Sequence, residues 1–209
     1  MKKTKSILIY VLFFGALWGI LEATLGYALQ FLPPLVSGSV MFPIAATLML
    51  VTYQNTKSRS AMIYVAAIAA TIKAINLFMP GLPAIKTYNP MIAMMLQSLV
   101  LVVFIPLFKK KSIPSVVSGI ALVGFSWRLL FLGNIAINHA LTNFQFSQLA
   151  SVSNMIQFVV FLGLMEALIL GTIQIIRLAL KQKVSLSFKP NAVLSLSTFI
   201  FAVILTIFL

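Results

Sequence analysis

The chain has 209 residues, of which 61% are hydrophobic and only 8% charged, against about a quarter charged in an ordinary soluble domain, so water is not its main solvent. Its net charge of +13 comes from 15 lysines and arginines set against two acids. The absence of cysteine and aspartate and the single histidine exclude disulfides, thiolate catalysis, aspartate-rich magnesium motifs and most metal sites; no glycine-rich loop ending in Lys-Ser/Thr binds ATP, and no cofactor is expected.

About 20 apolar residues span the hydrocarbon core of a bilayer as a helix, and seven such runs follow one another. The first, 6–32, comes after Lys2, Lys3 and Lys5 as a signal peptide would. Its apolar stretch is too long for an h-region and no small-x-small cleavage site follows, so it reads as a retained helix. The second, 35–53, starts in a turn-rich segment with Pro33, Pro34 and Gly38. The third, 60–79, follows Lys57 and Arg59, and the fourth, 90–108, closes the turn-rich stretch Met79–Pro90, which holds three prolines and Gly81. The fifth, 113–138, begins after Lys109, Lys110 and Lys111. A polar, uncharged connection leads to the sixth, 153–180, and the seventh, 192–209, comes after Lys181, Lys183 and Lys189. The expected fold is all-α: one polytopic transmembrane bundle of six core helices plus a seventh.

The basic residues stand in short clusters between these runs, which reads as topology facing anionic headgroups rather than as a nucleic-acid interface. Cytoplasmic loops retain Lys and Arg. With the N-terminus inside, twelve cations fall in cytoplasmic segments and only Lys86 in an external one. One missed or invented span would put a cluster on the wrong side, so the alternation supports the helix count and the expected placement as a multi-pass plasma or inner membrane protein. The external connections, rich in proline and glycine and poor in charge, are candidates for a lid or for tight connectors.

Lys73 and Arg128 belong to no loop, and the two acids are Glu22 and Glu166. All four lie inside expected spans at a similar depth. An intramembrane charge costs about 2.5–3.5 kcal/mol on insertion scales, so such residues face the bundle interior and are paired. One polar cluster follows as an expectation, with Glu22–Lys73 and Glu166–Arg128 as a candidate pairing that the sequence does not fix. Trp18 and Gly26 lie one turn either side of Glu22, Asn76 lies three residues from Lys73, and Trp127 adjoins Arg128. Aromatic rings beside a few convergent polar groups line small-molecule pockets. The candidate substrate-binding residues are therefore Glu22, Lys73, Arg128, Glu166, Trp18, Asn76 and Trp127. The alternative is that the charges only hold the helices together.

Gly15, Gly19 and Ala23 recur every four residues in the first run and Ala66, Ala70 and Ala74 in the third, a spacing that lets helices approach closely. The small size, the expected cytoplasmic N-terminus, six core helices, structured external loops, the Gly15-Ala16-Leu17-Trp18-Gly19 segment with Ala23, the Pro80-Gly81 turn and the Asn89-Pro90 helix start are similar, over most of residues 1–180, to the substrate-binding S components of energy-coupling factor (ECF) vitamin transporters. That resemblance implies capture of a vitamin or precursor from outside, without enzymatic activity. It also implies partnership with a transmembrane coupling protein and two ATPases, which supply the missing ATP site. The seventh helix and the mixed glycine–alanine stripe depart from that pattern. Two other readings stand beside it: an intramembrane enzyme on lipid or isoprenoid substrates, with Glu22 or Glu166 as general acid or base, and a structural subunit of a membrane complex.

Overall fold

A computed structural model describes residues 2–29, 37–110, 112–183 and 189–209, and among these residues there are seven helices and no strand. They are α1 (Lys2–Ala28), α2 (Ser37–Thr56), α3 (Arg59–Lys73), α4 (Ile85–Lys109), α5 (Ile113–Thr142), α6 (152–183) and α7 (Ala192–Phe208). The all-α expectation holds. Thr4–Ala28, Arg59–Phe78, Ile85–Lys109, Pro114–Thr142 and Val152–Arg177 are each long and apolar enough to cross a membrane. α2 ends in the polar run Tyr53-Gln54-Asn55-Thr56, and α7 is a shorter apolar helix of 17 residues. Large apolar side chains such as Val193, Leu196, Ile200 and Ile204 lie exposed along α7, a surface suited to hydrocarbon rather than water. The molecule is a multi-pass membrane protein.

Local chemistry sets the helix ends. Asn191 caps α7 by accepting a hydrogen bond from the Leu194 amide, and Ser151 caps α6 by accepting one from that of Asn154. Asn143 closes α5 in the left-handed region at φ 55°, which asparagine tolerates better than most residues. Several bounds differ from expectation: α1 begins at Lys2 rather than at residue 6, and α2 and α6 each run three residues further, to Thr56 and to Lys183. α4 begins at Ile85, five residues before Pro90; the carbonyl that the proline deprives of a partner is that of Lys86, an exposed residue, so the loss is cheap there. α5 runs one turn further, to Thr142. The third span changes at Lys73 into a tighter 3₁₀ turn, Ala74–Phe78. The expected end of the first helix and start of the second, at 32 and 35, lie outside the described residues.

Contacts between the helices close a ring in the order α1, α3, α4, α5, α6, α2 and back to α1, with α7 seated outside on α1. Directions alternate along the chain: Ile9 and Glu22 on α1 lie level with Ser195 and Thr206 on α7, whereas Leu107 on α4 meets Ser115 on α5. The basic segments 57–59 and 109–110 therefore share one end of the bundle with the start of α1, and the connections 79–84 and 143–151 share the other. At the tightest crossing, a Cβ on Gly15 would fall 2.7 Å from Ile68 Cβ, and one on Gly19 2.7 Å from Ile72 Cδ1. The small stripe of α1 thus faces α3, whose Ala61, Ala66, Ala69 and Ala70 are buried.

Candidate functional site

Arg128 on α5 is fully buried, and four hydrogen bonds hold it. Its Nη2 donates to Glu166 Oε1 at 2.8 Å and its Nε to Glu166 Oε2 at 3.2 Å, a two-point contact with a carboxylate from α6. Nη2 also donates to Ser39 Oγ of α2 at 2.8 Å, and Nη1 donates to the Phe158 carbonyl at 3.1 Å. Trp127 Nε1 adds a further bond to Glu166 Oε2 at 3.0 Å. The guanidinium packs against the rings of both Trp127 and Phe158, 4.8 Å from each centroid. Planar guanidinium and carboxylate match in this way as no lysine could.

Two backbone features make room for that pair. Gln157–Phe161 forms a single π turn inside α6, so the Leu162 amide bonds back to Gln157 instead of Phe158, and the Phe158 carbonyl turns to Arg128. Gly124 and Gly163 meet beside the pair: a Cβ at Gly124 would lie 3.4 Å from the Gly163 carbonyl oxygen and 3.5 Å from Glu166 Oε2. Small residues at this crossing let the short reach of glutamate span the gap between helices.

Glu22 and Lys73 make a different contact. Lys73 Nζ stands 3.8 Å from Glu22 Oε1, too far for a hydrogen bond, and their side chains keep 7% and 14% exposure where Arg128 and Glu166 keep 1% each. Gly26 leaves space for the Glu22 carboxylate, since a Cβ there would fall 3.2 Å from Glu22 Cδ. The expected pairing is therefore the one observed, yet its halves are unequal: one pair is closed and saturated, the other loose and open.

Two cavities explain the difference. The first, about 230 Å³, is walled by aromatic rings of Trp18, Trp127, Phe131 and Phe158, by Met41 and Met94, and by the polar groups of Glu22, Asn89, Gln97, Gln148 and Arg128. Its outer lining residues, Gly38, Asn89 and Gln148, lie at the end of the bundle away from the basic connections. Asn89 Oδ1 is buried without a hydrogen-bond partner, an unmet acceptor on a residue that lines the cavity. The second cavity, about 360 Å³, lies between α1, α3, the 79–84 connection, the first turn of α4 and α7, and is lined by Glu22, Lys73, Asn76 and Lys86. Glu22 lines both.

Six of the seven expected site residues thus line a cavity: Trp18, Trp127 and Arg128 the first, Lys73 and Asn76 the second, and Glu22 both. Glu166 lines neither, because Arg128 and Trp127 cover its carboxylate. The polar residues missed in the sequence are Ser39, Asn89, Gln97 and Gln148. Gln97 carried a usable signal, being a lone amide in the apolar run Met94-Met95-Leu96-Gln97-Ser98-Leu99-Val100, where burial of an unpaired amide is costly. No protein-family model, curated protein or solved structure matches this chain.

Proposed function

We propose that this protein takes part in membrane transport, capturing a small polar solute in the aromatic cavity from the outside of the membrane, as the substrate-binding subunit of an ECF-type transporter. The observation that carries the reading is the aromatic cavity itself, in which four rings, three amides and one carboxylate converge. Stacking rings with a few convergent hydrogen-bonding groups are the usual lining of a small-molecule site. At about 230 Å³ the space falls somewhat below the roughly 300–1,000 Å³ of sites for drug-sized ligands, so the occupant is a compact planar molecule of vitamin or vitamin-precursor size. Retention of lysine and arginine on the cytoplasmic side supports an orientation with the basic connections inside and the cavity's outer rim outside.

Within this reading Arg128 and Glu166 act chiefly on each other, as the saturated clamp that fixes Trp127, and charge complementarity to the solute falls to Glu22. Asn89, Gln97 and Gln148 supply orientation. A binding role suits the two carboxylates better than a catalytic one, since each already faces a cation. The energising partners would be a transmembrane coupling protein and ATPases. They would meet a face other than the glycine stripe of α1, because α3 covers Gly15 and Gly19 and α7 covers Ala16.

The test is thermal unfolding of the detergent-solubilised protein against a panel of vitamins and their precursors, since a ligand that binds only the folded state raises its stability. One compound is expected to raise the midpoint, and co-purification with ATPase subunits is expected from native membranes. Turnover of lipid or isoprenoid with no stabilising solute would replace this reading with the enzyme.

A further inference from the structure

The second cavity is a charged space of its own, and the seventh helix helps to build it. Thr206 and Leu209 come from the α7 end of the chain, Met79 and Leu82 from the connection after α3, and Lys73, Asn76 and Lys86 supply its polar groups beside Glu22. Lys73 and Lys86 set two ammonium groups in this wall beside the carboxylate of Glu22. Lys73 keeps only 7% of its side-chain surface exposed, and among the described residues its three N–H donors make no hydrogen bond. Asn76 Oδ1, also in the wall, is buried and has no partner. A nearly buried ammonium with unused donors and an unused amide acceptor are costly unless something meets them.

We propose that this cavity binds a small monovalent oxyanion that carries a hydroxyl donor, its anionic group on Lys73 and Lys86 and its hydroxyl on the Asn76 carbonyl. Met79, Leu82 and Leu209 receive the apolar remainder. Two sources share this chemistry: a soluble 2-hydroxy carboxylate, and an anionic phospholipid whose headgroup bears hydroxyls. Glu22 competes with the anion for Lys73 from the opposite wall, so its 3.8 Å contact is the one that the ligand replaces. The site stands on its own cavity and not on the aromatic-cavity reading.

Lactate is the soluble probe, followed by thermal unfolding and calorimetric titration of the full chain in detergent. Phosphatidylglycerol nanodiscs, compared with phosphatidylcholine nanodiscs, are the lipid probe. Stabilisation by lactate assigns the soluble source, and stabilisation by phosphatidylglycerol alone assigns the lipid. In either arm K86Q, at an exposed position, is expected to weaken the effect several-fold. E22Q is expected to tighten binding by roughly tenfold, between the water and protein-surface limits for one charge contact near 4 Å. The double change E22Q/K73Q, which removes both members of the contact together, is expected to abolish it. Absence of stabilisation by both probes, or stabilisation that survives K86Q and E22Q/K73Q unchanged, would overturn the proposal.

Discussion

Arg128 and Glu166 form a two-point contact, at 2.8 and 3.2 Å, in which both side chains are 1% exposed. Desolvating two such charges costs several kcal/mol each, and the return depends on every remaining donor and lone pair finding a partner. Here Ser39, Phe158 and Trp127 supply those partners from α2, α6 and α5. The contact therefore ties three helices of the ring at one point.

Removal of one member leaves the other charge buried and unpaired. R128Q or E166Q is expected to cost about 3–5 kcal/mol, read as loss of folded protein in a denaturant titration in detergent. R128K is expected to fall close to R128Q, because an ammonium cannot reach Glu166 at two points and Ser39 and Phe158 as well. The double replacement R128M/E166M is expected to be less damaging than either single change. Equal stability of R128K and the unaltered protein would show that the fork geometry is unimportant.

Trp127 gives a narrower test of the same clamp. W127F keeps an aromatic ring against Phe42, Phe131 and Phe158 but deletes the indole N–H that reaches Glu166. A hydrogen bond to a charged group is worth about 1.5–3 kcal/mol, so a loss of that order is expected in the same titration, together with weaker solute stabilisation.

The contrast between the two pairs can be measured. Glu22 and Lys73 stand 3.8 Å apart with no hydrogen bond between them, so E22Q is expected to destabilise the protein less than E166Q does. The exchanged pair E22K/K73E is expected to regain much of what K73E alone loses. Comparable losses for E22Q and E166Q would mean that the looser pair is as structural as the tighter one.

The α1–α3 crossing depends on missing side chains. A Cβ at Gly15 would meet Ile68 Cβ, which cannot rotate away because it is fixed to the backbone, at 2.7 Å. G15A is therefore expected to cost about 1–3 kcal/mol as overpacking, seen as a lower unfolding midpoint, whereas Gly133, with open space around it, should accept alanine with little change.

Much of this arrangement was legible because charge is so scarce. Two acids and two loop-free cations on four spans admit few pairings, and the cost of an unpaired charge in lipid selects among them. The helix count followed from apolar length and the alternation of basic clusters. The π turn was not legible: Gln157-Phe158-Val159-Val160-Phe161 looks like any apolar helical segment, and its register is set by Arg128 from another helix. The inequality of the pairs was hidden for a related reason, since it depends on Gly124, Gly163 and Gly26, whose spacing shows closeness but not to what. Asn89 was read as a helix start, and only the ring of helices places it in the wall that also holds Gln97 and Trp127.

The chain has no cysteine of its own, so single introduced cysteines can be read without background. The most direct test of solute capture is the labelling of N89C in intact cells by a membrane-impermeant thiol reagent, beside S58C at the basic end and I200C on the exposed face of α7. N89C is expected to react from outside and to be protected by the stabilising solute, while S58C reacts only after permeabilisation and I200C stays unlabelled. An N89C that is inert, or that reacts only from the side on which S58C does, would contradict the account.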